Sequence, residues 1–87
     1  MTHQEIQGKL AQIEMSSRQL IEMMNASSTE LLRQSGVIFA LTQGNTNSGP
    51  VAAQRVQIAA KKLSDAAKSL NEMCQGIDQY VNIVRNV

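Results

Sequence analysis

Aromatic side chains are nearly missing from this sequence: Phe39 and Tyr80 are its only rings of the Phe, Trp and Tyr kind, and tryptophan is absent. A sheet core draws on β-branched and aromatic residues in alternating runs. The apolar mass here is Ala, Val, Ile, Leu and Met, which favours helices. One cysteine, Cys74, excludes an internal disulfide framework, and one histidine, His3, excludes the usual Cys/His zinc sets. An 87-residue chain buries only roughly 60–65% of its unfolded surface and is marginal alone. With neither disulfide nor metal to compensate, a partner or self-association is the expected source of added stability.

Charge is equally sparse. The net charge is +1, with three basic and four acidic groups in residues 1–43 and five basic and three acidic in 44–87. That balance gives no reason to expect a nucleic acid or an anionic surface as partner. No apolar run approaches the roughly 20 residues of a membrane span. The opening Met1-Thr2-His3-Gln4-Glu5 lacks the basic-then-apolar pattern of a cleaved signal peptide. The expectation is a protein made in the cytoplasm without membrane insertion, with export by a route that cleaves no signal left open.

Against these absences, one break and two long periodic segments stand out. The break is Gly44-Asn45-Thr46-Asn47-Ser48-Gly49-Pro50. Gly44 can end a first helix, Pro50 suits the first position of a second, and Gly49 or Ser48 would cap it. Thr2-His3-Gln4-Glu5 reads as a capping box for the first helix. The sequence therefore predicts one all-α domain over 1–87: helix 1 at about 3–43, loop 44–49, helix 2 at about 50–86. The short loop makes the pair an antiparallel hairpin, with helices roughly 50–60 Å long.

The seam predicted for helix 1 runs Ile6, Leu10, Ile13, Ser17, Leu20, Met24, Ser27, Leu31, Gln34, Ile38, Leu41, in alternating steps of four and three. Ser27-Ser28-Thr29 and Gly36 are poor helix formers, so a bend or loosening is expected in 27–36. Helix 2 carries three apolar rows: Val56, Leu63, Leu70, Ile77, Val84; then Ala59, Ala66, Met73, Tyr80; then Ala60, Ala67, Cys74, Val81. That stripe is wider than a two-helix seam requires. Ile21, Met23, Leu32, Phe39 and Tyr80 have no obvious place in a single hairpin. The hairpin is expected to complete a four-helix bundle with a helical protein partner. The partner-facing stripe is assigned to Leu20, Met24, Leu31, Phe39, Val56, Leu63, Leu70, Ile77, Tyr80 and Val84, and the turn to Gly44, Gly49 and Pro50.

Residues capable of chemistry are few. The acidic residues fall on predicted surface faces or near helix ends, His3 sits in a solvated first turn, and Cys74 reads as a small buried hydrophobe rather than a reactive thiol. No glycine-rich phosphate loop is present, and Arg55, Lys61, Lys62 and Lys68 are spread among acids without interleaved aromatics. The expectation is a non-enzyme with no catalytic residue, metal, cofactor or nucleic-acid ligand.

Two long helices around a glycine-containing turn, with heptad apolar rows, resemble the W-x-G, ESAT-like family of bacterial type VII secretion. Thr42-Gln43-Gly44 stands where that family carries Trp-x-Gly, so the glycine matches and the tryptophan does not. Tyr80 matches the tyrosine of the family's Tyr-x-x-x-Asp/Glu export signal, but Val84 replaces the acidic residue. The resemblance implies a small partner that pairs with the helical region of a larger secreted effector or toxin, shields its apolar surface and helps target it for export. A small paralogous hairpin, or a second copy of this chain, is the other kind of partner it allows. The competing reading is a helical adaptor or self-assembling structural subunit unrelated to type VII secretion.

Overall fold

The sequence folds into two long antiparallel helices that form an elongated all-α hairpin of 65 × 16 × 15 Å. The computed structural model describes residues 2–43 and 48–86. Helix α1 spans His3–Thr42, 40 residues, and α2 spans Ser48–Arg85, 38 residues. Thr2 caps α1 from an extended conformation: its Oγ1 accepts from the Glu5 N–H at 3.1 Å, and its carbonyl accepts from Ile6.

Helix α1 is continuous, and α2 starts slightly earlier than the sequence suggests. Helix α1 runs unbroken through 27–36. Within it Ser17, Thr29 and Thr42 donate to the carbonyls of Ile13, Asn25 and Ile38 one turn back, which keeps their hydroxyls paired. Helix α2 begins at Ser48, ahead of the expected start at 50, so Gly49 and Pro50 are helical. Proline is tolerated in that first turn because its missing N–H would have no intrahelical acceptor there. Gly44 lies outside the described residues.

The close seam is a heptad ladder, but its phase differs from the one the apolar residues suggest. On α1 the shielded positions are Ile6, Gln7, Leu10, Glu14, Ser17, Ile21, Met24, Ser28, Leu31, Ser35, Ile38 and Thr42. Five of the expected seam positions in α1 are thereby displaced: Ile13, Leu20, Ser27, Gln34 and Leu41 are exposed, and Leu41 reaches 74%. On α2 the fully shielded row is Ala53, Ala60, Ala67 and Cys74, with Ala60 and Cys74 at 0%. Beside it Val56, Leu63, Leu70, Ile77 and Val84 are half-buried.

Small side chains set this phase. Ser28 Oγ donates to the Ala60 carbonyl at 2.8 Å and Ser35 Oγ to the Ala53 carbonyl at 2.9 Å. A serine hydroxyl reaches the backbone of the facing helix only where the intervening side chains are no larger than alanine. The contact buries serine without leaving its donor unpaired, so the usual cost of a buried hydroxyl is avoided.

At the turn the approach is closer still. A methyl group placed on Gly49 would overlap Thr42 Oγ1 and Cβ, whereas Gly8, Gly36 and Gly76 have open space at that position. Gly49→Ala is expected to destabilise the hairpin by about 2 kcal/mol through overpacking. Gly36→Ala is expected to stabilise it by about 0.5–1 kcal/mol through helix propensity and reduced unfolded-state entropy. Thermal melts of the two variants check this pair; equal shifts would contradict the close contact at the turn.

Candidate functional site

The flanks of the seam differ, and an ion pair fixes which rows share a side. Arg18 Nη2 on α1 lies 3.7 Å from Asp78 Oδ2 on α2. The heptad row of Arg18 (Asn25, Leu32, Phe39) therefore faces the row of Asp78 (Gln57, Ser64, Asn71, Arg85) along one side. Asn25, Ser64 and Asn71 line a common shallow groove there. The opposite side joins Ile13, Leu20, Ser27, Gln34 and Leu41 of α1 to Ala59, Ala66, Met73 and Tyr80 of α2. It carries no charged residue in these two rows.

This open side continues inward onto larger half-buried residues: Leu10, Met24, Leu31 and Ile38 of α1, and Val56, Leu63, Leu70, Ile77 and Val84 of α2. Ile13, Leu20, Met73 and Tyr80 stand on it with 39–49% of their surface exposed. The two inner rows and the two flanking rows make one uncharged, largely apolar surface along the hairpin, interrupted by Ser27 and Gln34. In each helix its centre is turned roughly 50° from the partner helix, the angular half-step between neighbouring heptad positions. The large apolar residues of the seam are half-buried and border the surface left open, while the fully shielded contact positions are small: Ser17, Ser28, Ser35, Ala53, Ala60, Ala67 and Cys74.

The stripe predicted from sequence is gathered in large part on this surface: Leu20, Met24, Leu31, Val56, Leu63, Leu70, Ile77, Tyr80 and Val84 all border it. Phe39 does not, since it lies on the Arg18 side near the turn, beside Leu32. Ile21, which had no place in a single hairpin, sits half-buried in the seam. The Ala60/Ala67 row is covered by α1 itself. No described helix is long and apolar enough to cross a membrane. Among the described residues no group of His, Cys, Asp and Glu is arranged to hold a metal ion.

One acidic residue departs from its expected surface position. Glu14 occupies the seam, with its side chain 22% exposed. Its Oε1 is shielded and without a hydrogen-bond partner, and Arg18 Nη2 lies 3.9 Å away. A hydrogen bond with Asp78, desolvation and the Asp78 charge raise the Glu14 pKa against the opposing effect of Arg18. Glu14 and Asp78 line a shallow groove of about 600 Å³. Glu30 shows the opposite behaviour. Hydrogen bonds from Arg33 and Gln34 lower its pKa to about 2.

These shifts give two opposed pH dependences. A raised folded pKa contributes stability below the unfolded value and loses it as pH rises through the folded value. Glu14 therefore favours the hairpin in acid. A lowered folded pKa contributes above the unfolded value and loses that contribution as pH falls, so Glu30 opposes acid. Stability is expected to rise as pH falls from neutral toward the ordinary carboxylate range, through Glu14, and to fall below about pH 4, through Glu30. Glu14→Gln should abolish the first limb, and Glu30→Gln should shrink the second. Thermal melts from pH 3 to 8 check both; a Glu14→Gln profile that keeps the wild-type rise would contradict the assignment.

Comparison with protein-family models, curated proteins and solved structures gives no match to this chain.

Proposed function

We propose that the chain is a non-catalytic half-bundle whose open apolar side docks a helical partner. One observation carries this reading: Leu10, Met24, Leu31, Ile38, Val56, Leu63, Leu70 and Ile77 are only half-buried by the hairpin and border one uncharged side with Ile13, Leu20, Met73 and Tyr80, while the fully shielded contact positions are Ser, Ala and Cys. A pair of added helices lying along that side would turn two helices into a four-helix bundle. In such a bundle Leu10, Ile13, Leu20, Met24, Leu63, Leu70, Met73 and Tyr80 become core positions.

The resemblance to ESAT-like hairpins extends the proposal to a role. The partner is then the helical region of a larger secreted effector, and the chain covers its apolar surface and helps target it for type VII export. The shared hairpin plan supports that extension, and Tyr80 stands on the docking side as a recognition residue would. The test is co-expression with the helical N-terminal region of a large effector encoded beside this chain. A co-purifying complex that Leu20→Asp abolishes is the expected result. No complex, or one indifferent to Leu20→Asp, contradicts the reading.

A further inference from the structure

The two ends of the hairpin are packed differently. The fully shielded residues reach from the turn as far as Ser17 on α1 and Cys74 on α2; in residues 2–16 and 75–86 none is fully shielded. The Ser28–Ala60 and Ser35–Ala53 hydrogen bonds cross the seam on the turn side as well. At the other end the seam is completed by the half-buried Gln7, Leu10, Ile77, Val81 and Val84, beside grooves of about 600 and 570 Å³. A segment with few buried contacts opens at lower cost than the whole fold. Glu14 sits at the boundary: by the register of the two crossing hydrogen bonds it stands level with Cys74. We propose that Glu14 is a proton-operated latch for the end opposite the turn. With its carboxyl protonated the two helix ends close on each other; with it ionised they part beyond Ser17 and Cys74 while the turn half stays shut.

The groups that face Glu14 are Arg18 on its own helix and, on α2, the Cys74 thiol, Asp78 and Arg85, the last about two turns beyond Asp78 in the same groove. Arg18 Nη2 is 3.9 Å from Glu14 Oε1 and 3.7 Å from Asp78 Oδ2, beyond hydrogen-bond distance of either. One guanidinium thus serves two carboxylates. Ionised Glu14 leaves the closed seam with a net negative charge and a shielded oxygen that has no donor. Two routes relieve this: Glu14 takes up a proton, or the end opens and returns the carboxylate to water. Closure and protonation are therefore linked, and a rise of one pH unit shifts the balance toward the open end by at most about tenfold. The raised Glu14 pKa has the matching sign, since it favours the closed form in acid and loses that contribution as pH rises through the folded value. The latch also bears on docking, because only a closed end keeps Leu10 and Ile13 on one surface with Ile77 and Tyr80. That consequence, unlike the latch itself, rests on the half-bundle reading.

The experiment is residue-resolved backbone hydrogen exchange on the full chain at neutral pH and at about pH 5, just above the ordinary carboxylate range. A helix end released from its neighbour frays, so exchange reports the opening. At neutral pH the amides of residues 7–13 and 78–84 should be at least roughly tenfold less protected than those of 28–38 and 53–63. After correction for the intrinsic effect of pH, their protection should rise at least about threefold at the lower pH. Glu14→Gln should hold the end closed at both pH values and remove that rise, and Asp78→Asn, which leaves Arg18 to Glu14 alone, should shrink it. His3→Gln, a change in the neighbouring groove, should keep it. Alkylation of Cys74, fully shielded in the closed hairpin, gives a second readout at a single neutral pH. Glu14→Gln should slow it at least about threefold. Equal protection of the two halves would overturn a separately opening end. A pH-dependent rise that survives in Glu14→Gln, or equal alkylation of the two chains, would overturn Glu14 as its latch. These readouts need no partner, so their failure is distinguishable from failure of the half-bundle reading.

Discussion

Replacing Ala60 by leucine is expected to destabilise the hairpin by about 3 kcal/mol, the upper part of the range for forcing extra methylenes into a packed interior. Ala60 is fully shielded, and its carbonyl accepts the Ser28 hydroxyl at 2.8 Å. A leucine there must push α1 away, which breaks that hydrogen bond and leaves the Ser28 hydroxyl without its acceptor in a shielded site. The neighbouring Ser35–Ala53 contact one heptad away would be strained by the same displacement. For a chain of this size the loss corresponds to a fall of roughly 10–20 °C in the melting midpoint. Ala40→Leu makes the same chemical change at an exposed position of α1 and should alter stability by less than about 0.5 kcal/mol. Chemical denaturation followed by circular dichroism checks the pair. Equal, small effects would mean that the seam is not the Ser/Ala contact described here.

Leu20→Asp is expected to leave the hairpin helical and to weaken docking at least roughly 100-fold, or about 3 kcal/mol. Leu20 is 45% exposed and stands on the open side, so the isolated hairpin does not need it to close. Once a partner covers that side, the aspartate must be buried without a countercharge. Leu32→Asp is the matched control. Leu32 is 53% exposed on the same helix but lies on the Arg18 side. The same charge change there should reduce docking by less than about threefold, the range of ordinary rim positions. Paired measurement of helicity and binding distinguishes a docking defect from unfolding. Similar losses for both variants would contradict the division of the hairpin into two unlike sides.

The hairpin plan was legible because its signals are local: the Thr2 cap, the helix-compatible apolar periods, and the single run of turn residues before Pro50. The phase of the seam was not. Ile13, Leu20 and Leu41 outweigh Glu14, Ser28 and Ser35 in any reading that seeks apolar contact, yet the structure buries Ser28 and Ser35 and half-buries Glu14. Two facts decide the phase, and neither can be read from hydrophobicity. Ser28 and Ser35 satisfy their hydroxyls on the backbone of the other helix. Alanine at 53, 60 and 67 allows the close approach that makes this possible.

The same misreading explains Glu14. It was placed on the surface because the apolar seam passed through Ile13; the observed ladder shifts that row by one residue and brings the carboxylate between the helices. Phe39 is a related case, since its apolar character suggested the docking stripe, whereas its shared row with Arg18 puts it on the other side. The continuity of α1 through Ser27–Gly36 was hidden for a different reason. Residue propensities there are unfavourable, and Ser28 and Ser35 are held in place by tertiary hydrogen bonds. The wide apolar stripe of α2 was legible: Val56, Leu63, Leu70, Ile77 and Val84 are half-buried beside the shielded row of Ala53, Ala60, Ala67 and Cys74.

The most direct test of the half-bundle account is sedimentation equilibrium of the wild-type chain and of Leu20→Asp, each alone and mixed with the helical region of the candidate effector. The account predicts that the wild-type chain occurs in a bundle-sized species in at least one of these conditions, and that Leu20→Asp returns it to a folded single chain of 9.5 kDa. A wild-type chain that remains a fully helical monomer in both conditions would contradict it.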